Sequence, residues 1–214
     1  MSYSMLDAAG NPVLSKASGH GLKLDPVTPS FGFKDLVGAI NIRGTGGTNP
    51  NLAVYRGGIK QFQFSVADEA WVEFHVPHDY VPGTPMFIHA HWSHIDTGVT
   101  GGSVTWGFET TYAKGYNQEQ FSAPVSPTVA QNGATGAGGQ YKHMIAETQL
   151  TVPGGSGTQL DTARIEVDGL IMVRVYLSAN ALTGATPAPF LHFCDIHYQS
   201  TQTATKDKNY PFYT

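Results

Sequence analysis

Charge is what this sequence has least of. Lys, Arg, Asp and Glu make up 13 % of the 214 residues, about half the usual share in a soluble domain. The few charges nearly cancel, at a net −4, and no basic stripe is present. That excludes a phosphate-backbone footprint and predicts no nucleic-acid partner. A surface so thinly charged fits a protein covered by neighbours in an assembly. Cysteine occurs once, as Cys194 in the apolar run 190–196. No internal disulfide can form, and the residue reads as a small buried hydrophobe. No apolar run approaches the length of a helical membrane span, so no membrane partner is expected. Residues 1–10 lack the basic and apolar regions of a signal peptide. The expectation is a protein made in a cytoplasm that stays soluble or assembles there.

Turn formers are abundant by contrast. The chain has 25 Gly and 13 Pro, spread without a period, which predicts many turns and many short strands. The stretch 71–106, WVEFHVPHDYVPGTPMFIHAHWSHIDTGVTGGSVTW, carries the clearest pattern. Strands are predicted over 71–76, 86–92 and from Ser103. In the middle one Phe87, His89 and His91 share one face, and Ile88, Ala90 and Trp92 share the other. Further strands are predicted over 59–66, 103–112, 143–152, 163–167, 170–178 and 190–198. Residues 122–140 read as a long glycine-rich connection.

About eight strands without a long helix predict an all-β fold, a jelly-roll β-sandwich. The predicted organisation is an irregular N-terminal arm over 1–51, a jelly-roll domain over 52–200 and an extended C-terminal tail over 201–214. The arm is rich in apolar side chains for a disordered segment, and an edge strand or a short helical turn is predicted within 33–42. The tail ends in Tyr210, Phe212 and Tyr213. Together with Phe31 and Phe33 of the arm these rings are candidate subunit-interface residues, because clustered rings are costly to leave in water.

The sharpest enzyme-like pattern is Gly83, five residues, then His89-Ala90-His91. It resembles the first motif of the cupins, with Asp96 near the position of that family's carboxylate. Two histidines at i and i+2 on a strand share a face, as neighbouring metal ligands must. A further ligand has to come from a later segment, where His143, His192 and His197 are available. The cupins' second motif is absent. The expectation is therefore no metal, no cofactor and no catalytic residue, with His89 and His91 hydrogen-bonded by neighbours such as Asp195 or Glu109. The sequence has no G-x-S-x-G elbow, and its GTGG at 44–47 lacks the GK[ST] of a phosphate loop. Glu109, Asp161, Glu166 and Asp168 read as solvated or turn acids in preference to a glycosidase pair.

Several longer stretches carry a family likeness: FGFKDLVGAI at 31–40, YRGGI at 55–59, EFHVPHDYVPGT at 73–84, HAHWSH at 89–94, VTGGSVTW at 99–106, TYAKGYNQ at 111–118 and HYQSTQTATKDKNYPFY at 197–213. In these the chain resembles a group of uncharacterised virion-associated proteins of tailed bacteriophages and prophages. The resemblance implies a non-enzymatic virion component, a decoration or cement protein of the capsid surface, or a collar or tail subunit. It implies assembly in the host bacterial cytoplasm, partners among major capsid, portal, collar or tail proteins, and no catalytic residues. Self-association as a homotrimer or ring is expected, since jelly rolls pack side by side. Two other classes compete: a cupin-like metal-dependent enzyme, and a carbohydrate- or receptor-binding module whose Trp71, Trp92 and Trp106 would stack on sugar rings, although their place in alternating strands favours core positions.

Overall fold

The computed structural model describes residues 4–6, 12–16, 22–24, 31–43 and 48–201. Strands β1 (Ser4–Leu6), β2 (Pro12–Lys16) and β3 (Leu22–Leu24) form a small antiparallel sheet of their own. The remaining strands are β4 (Gly32–Gly38), β5 (Asn51–Arg56), β6 (Ile59–Gln63), β7 (Glu69–His75), β8 (Phe87–Ser93), β9 (Ser103–Ala113), β10 (Thr128–Asn132), β11 (Met144–Gln149), β12 (Thr151–Val152), β13 (Leu160–Asp161), β14 (Leu170–Asn180) and β15 (Phe190–Ser200). Strands β12 and β13 make a two-residue parallel ladder beside the main sheets. Among the described residues no helix is long and apolar enough to cross a membrane.

Two sheets build the sandwich. The smaller runs β10-β9-β14-β7 and the larger β11-β8-β15-β6-β5, with β4 also pairing β15. Counting β6, β7, β8, β9, β10, β11, β14 and β15 as first to eighth, the larger sheet reads 6-3-8-1 before β5 and the smaller 5-4-7-2. This is jelly-roll order, the chain alternating between the sheets except where β9 and β10 pair within one, and its ladders are antiparallel. The fold class expected from strand count and spacing is the one observed.

Period-two alternation decides which side chains fill the space between the sheets. Ile171, Val173, Val175 and Leu177 of β14 face Ile88, Ala90 and Trp92 of β8 across the core, all essentially without exposure. Trp106, Phe108 and Tyr112 of β9 and Phe74 of β7 complete it. Strand β15 does not keep one parity along its length. Its register against β8 shifts between Leu191 and Phe193, a bulge at His192. Before it Leu191 is buried in the core; beyond it Cys194, Ile196 and Tyr198 are. The bulge therefore turns Phe193, Asp195 and His197 outward together.

Two expectations are corrected. Residues 163–167 are not a strand: a 3-10 turn occupies Thr162–Arg164, where the Asp161 carboxylate accepts the Ala163 N–H at 3.0 Å. The connection 122–140 is not structureless, because β10 pairs with β9 in register Val129↔Trp106. Trp92 and Trp106 are fully buried core residues, as their place in alternating strands favours, and offer no exposed platform for a sugar ring.

Within the span 1–51 read as an arm, β4 is a strand of the sandwich. It runs antiparallel to β15 from Gly32↔Ser200 to Gly38↔Cys194. The chain then crosses to the other sheet, where Asn41 and Trp71 exchange backbone hydrogen bonds at 2.8 and 2.9 Å. Phe33 is 53 % exposed on β4, and Phe31 is half-buried. Tyr210, Phe212 and Tyr213 lie outside the described residues, as does the GTGG stretch.

Candidate functional site

The outward face of the larger sheet gathers imidazoles and carboxylates in rows set by strand register. Opposite His89 on β8 stand Glu147 on β11 and Asp195 on β15. In the adjoining row Ile145, His91 and Phe193 stand abreast, and on the other side Phe87, His197 and Asp35 do. Directly opposed side chains on neighbouring strands are within reach of one another. These rows therefore join acids and imidazoles drawn from four strands, far apart in sequence.

His89 and His91 are buried although they face away from the core, at 1 % and 6 % exposure. Their cover is made by other side chains of the face. The His197 ring packs edge-on against His89 with centroids 3.9 Å apart, and Phe193 stacks on His91 at 4.0 Å. Asp195 Oδ1 lies 3.0 Å from His91 Nε2 and 3.2 Å from His89 Nδ1. His89 Nε2 meets Glu147 Oε2 at 2.5 Å, and His91 Nδ1 meets His143 Nε2 at 2.8 Å. His197 Nε2 lies 2.6 Å from Asp35 Oδ1. His192, from the bulge, bonds Ser93 Oγ at 2.8 Å, and that hydroxyl donates to Tyr55 at 3.0 Å.

The environment tunes these groups in opposite directions. Burial alone pushes the Asp195 carboxyl up, but the His89 and His91 imidazoles beside it reverse this and hold it far below the ordinary carboxylate range. Burial opposes charge on His89, yet Asp195 and Glu147 outweigh it, so that imidazole takes a proton more readily than a free one. His143 and His192 are lowered, first by burial and then by repulsion from neighbouring imidazoles.

The sequence candidates divide. His89 and His91 share this face as the alternation predicts; Asp195 is hydrogen-bonded to His91 and lies beside His89 Nδ1. Asp96 is not with them: it accepts the Gly98 N–H at 2.6 Å in an exposed turn. His94 is fully buried elsewhere and donates to the Ala134 carbonyl at 2.8 Å. His75 and His78 pair with Asp168 at 3.2 and 2.9 Å. Sequence reading missed Glu147 and Asp35, whose alternation with apolar neighbours was visible but whose partners depend on register. The four acids weighed as a glycosidase pair are each engaged apart from this face. Glu109 accepts from Arg174 Nε at 2.6 Å, Glu166 from Gln118 at 2.7 Å and Asp168 from Tyr116 at 3.0 Å, while Asp161 caps its turn.

No protein-family model and no curated protein matches the chain. Among solved structures it is similar to the CBM22-1–GH10 modules of Clostridium thermocellum endo-1,4-beta-D-xylanase 10B complexed with xylohexaose, at 12 % identity and a TM-score of 0.34 over 77 % of this chain. The chain spans 26 % of that protein's length. It is also similar to the xylan-binding module CBM15, at 9 % identity and a TM-score of 0.33, covering 79 % of this chain and 97 % of that one. Similarity this low carries no information about ligand or site.

Proposed function

We propose that this protein is a non-enzymatic jelly-roll building block of a bacteriophage particle, joined to copies of itself and to other virion proteins. The observation that carries this reading is the β5–β6 hairpin. β5 ends the larger sheet and among the described residues pairs only with β6. Its Leu52 and Val54 are 58 % and 57 % exposed, and Ile59 at the start of β6 is 60 % exposed. Apolar side chains on an unpaired edge strand are a template for association. The thin charge of the chain leaves little to oppose it. The virion assignment itself rests on the sequence resemblance.

The test is the oligomeric state. At tens of micromolar the protein is expected to run as a trimer or ring by light scattering, and Leu52→Lys with Val54→Lys to give a folded monomer by circular dichroism. Mass spectrometry of purified particles should find the chain. A wild-type monomer absent from particles would overturn the proposal.

A second reading, a carbohydrate-binding module, has one observation in its favour. The exposed Phe33 ring borders Phe87 at a centroid distance of 6.1 Å and the partly exposed His197 at 6.4 Å. Apolar rings beside hydrogen-bonding groups fit sugar recognition. Glycan-array binding lost on Phe33→Ala would favour it; no binding across the array would remove it.

A further inference from the structure

The geometry points to a metal site: we propose that His89, Asp195 and His197 together bind one divalent first-row transition-metal ion, such as zinc. One ligand atom from each of the three lies within 4.8 Å of the others. Two imidazoles and a carboxylate are a donor set for such ions, and the imidazoles favour zinc over calcium or magnesium. The site is distinct from the hairpin and does not depend on the assembly proposal.

Three further observations separate this cluster from a chance meeting of polar side chains. First, His89 Nδ1 is buried without a hydrogen-bond partner. It approaches Asp195 Oδ1 at 3.2 Å but out of line for a hydrogen bond. A buried imidazole nitrogen without a hydrogen-bond partner is costly unless something occupies it. Second, the other nitrogen of each imidazole is already taken by a carboxylate. His89 Nε2 is held by Glu147 at 2.5 Å and His197 Nε2 by Asp35 at 2.6 Å. A carboxylate beside Nε2 favours the proton on that nitrogen and leaves Nδ1 as the basic nitrogen in both rings, the outer support usual for metal-bound histidine. Third, Asp195 uses Oδ1 toward His91 and His89, and its second oxygen is directed to neither by any of these contacts.

Access is compatible with loading from solution. The His197 side chain is 34 % exposed and that of Glu147 50 %. His197 is therefore the member that can turn to close on an ion, while His89 and Asp195 are fixed by burial. Glu147 Oε2, 3.6 Å from His197 Nδ1, is placed to hold the His89 ring and to add negative charge.

The test uses the full chain without an affinity tag, stripped with a chelator and then dialysed against zinc chloride. About one zinc per chain is expected to be retained, and the thermal midpoint to rise by roughly 5–10 °C at zinc about a hundredfold above Kd. Cobalt(II) is expected to give the intense visible absorption of low coordination number. His197→Ala, at the exposed end of the site, should fold and lose the bound zinc and the cobalt spectrum. Asp35→Asn should weaken retention by roughly tenfold or more, as loss of an outer support does. His78→Ala, outside the cluster, should change nothing. No retained zinc in the wild type would overturn the proposal. So would equal retention by His197→Ala, or loss on His143→Ala with retention by His197→Ala.

Discussion

Asp79 ties three distant segments with one carboxylate. It accepts from Lys34 Nζ at 2.7 Å, Tyr198 OH at 2.9 Å and Ser200 Oγ at 2.6 Å, joining β4, β15 and the turn after β7. Burial raises its pKa, but the hydrogen bonds from Lys34, Ser200 and Tyr198 and the Lys34 charge outweigh this, and the net displacement is downward from 3.8. A folded-state value below the unfolded one contributes stability that is full above the unfolded value and is lost as pH falls through the folded one. The urea midpoint of the wild type should therefore drop on acidification below about pH 4. Asp79→Asn should be less stable at pH 7 by about 1–3 kcal/mol, with a flatter acid limb. Equal acid limbs would show that Asp79 does not carry the linkage. None of this was legible in PHDY, where Asp79 looks like any turn residue.

At the scale of elements, β4 and the residues after it lash the two sheets together, and Gly38 is where they cross. A side-chain carbon there would meet Val72 at 2.1 Å and the Phe74 ring at 2.6 Å, both on β7 of the opposite sheet. Only a residue without one lets the backbone lie on that surface. Gly38→Val is expected to destabilise by about 1–3 kcal/mol through overpacking, read as a lower denaturant midpoint. It should also speed hydrogen exchange at Asn41 and Trp71, whose backbones pair. An unchanged midpoint would mean that this segment detaches at little cost. The apolar residues of 33–42 fitted an edge strand or a short helical turn, and pairing with β15 decided for the strand, because a hydrophobic pattern specifies a face and leaves the edge open.

Across the whole molecule, Cys194 reports on opening of the sandwich. It is fully buried on β15, between β8 and β4, and burial, with Asp195 beside it, pushes the thiol far above its ordinary value. Reaction with a thiol reagent should be blocked in the native state. It should accelerate with denaturant along the slope of global unfolding. Labelling at the rate of a free thiol would indicate local fraying of β15 instead. The composition-based reading of Cys194 as an inert hydrophobe agrees with this position, since an apolar run of that length between turns belongs in a core.

Local physics determined much of this protein from the sequence. Glycine and proline density with period-two alternation specifies short strands, and enough strands of that kind must close into a sandwich to bury their apolar faces. The same alternation placed His89 and His91 on one face, opposite Ile88, Ala90 and Trp92. What only the tertiary structure decided was partnership. Register aligned Glu147 and Asp195 with His89, and the bulge at His192 reversed the parity of β15 so that Asp195 and His197 face the same way as the β8 imidazoles. Register and bulges follow from packing across strands a hundred residues apart in places, and a side chain's neighbours in sequence carry no trace of that geometry.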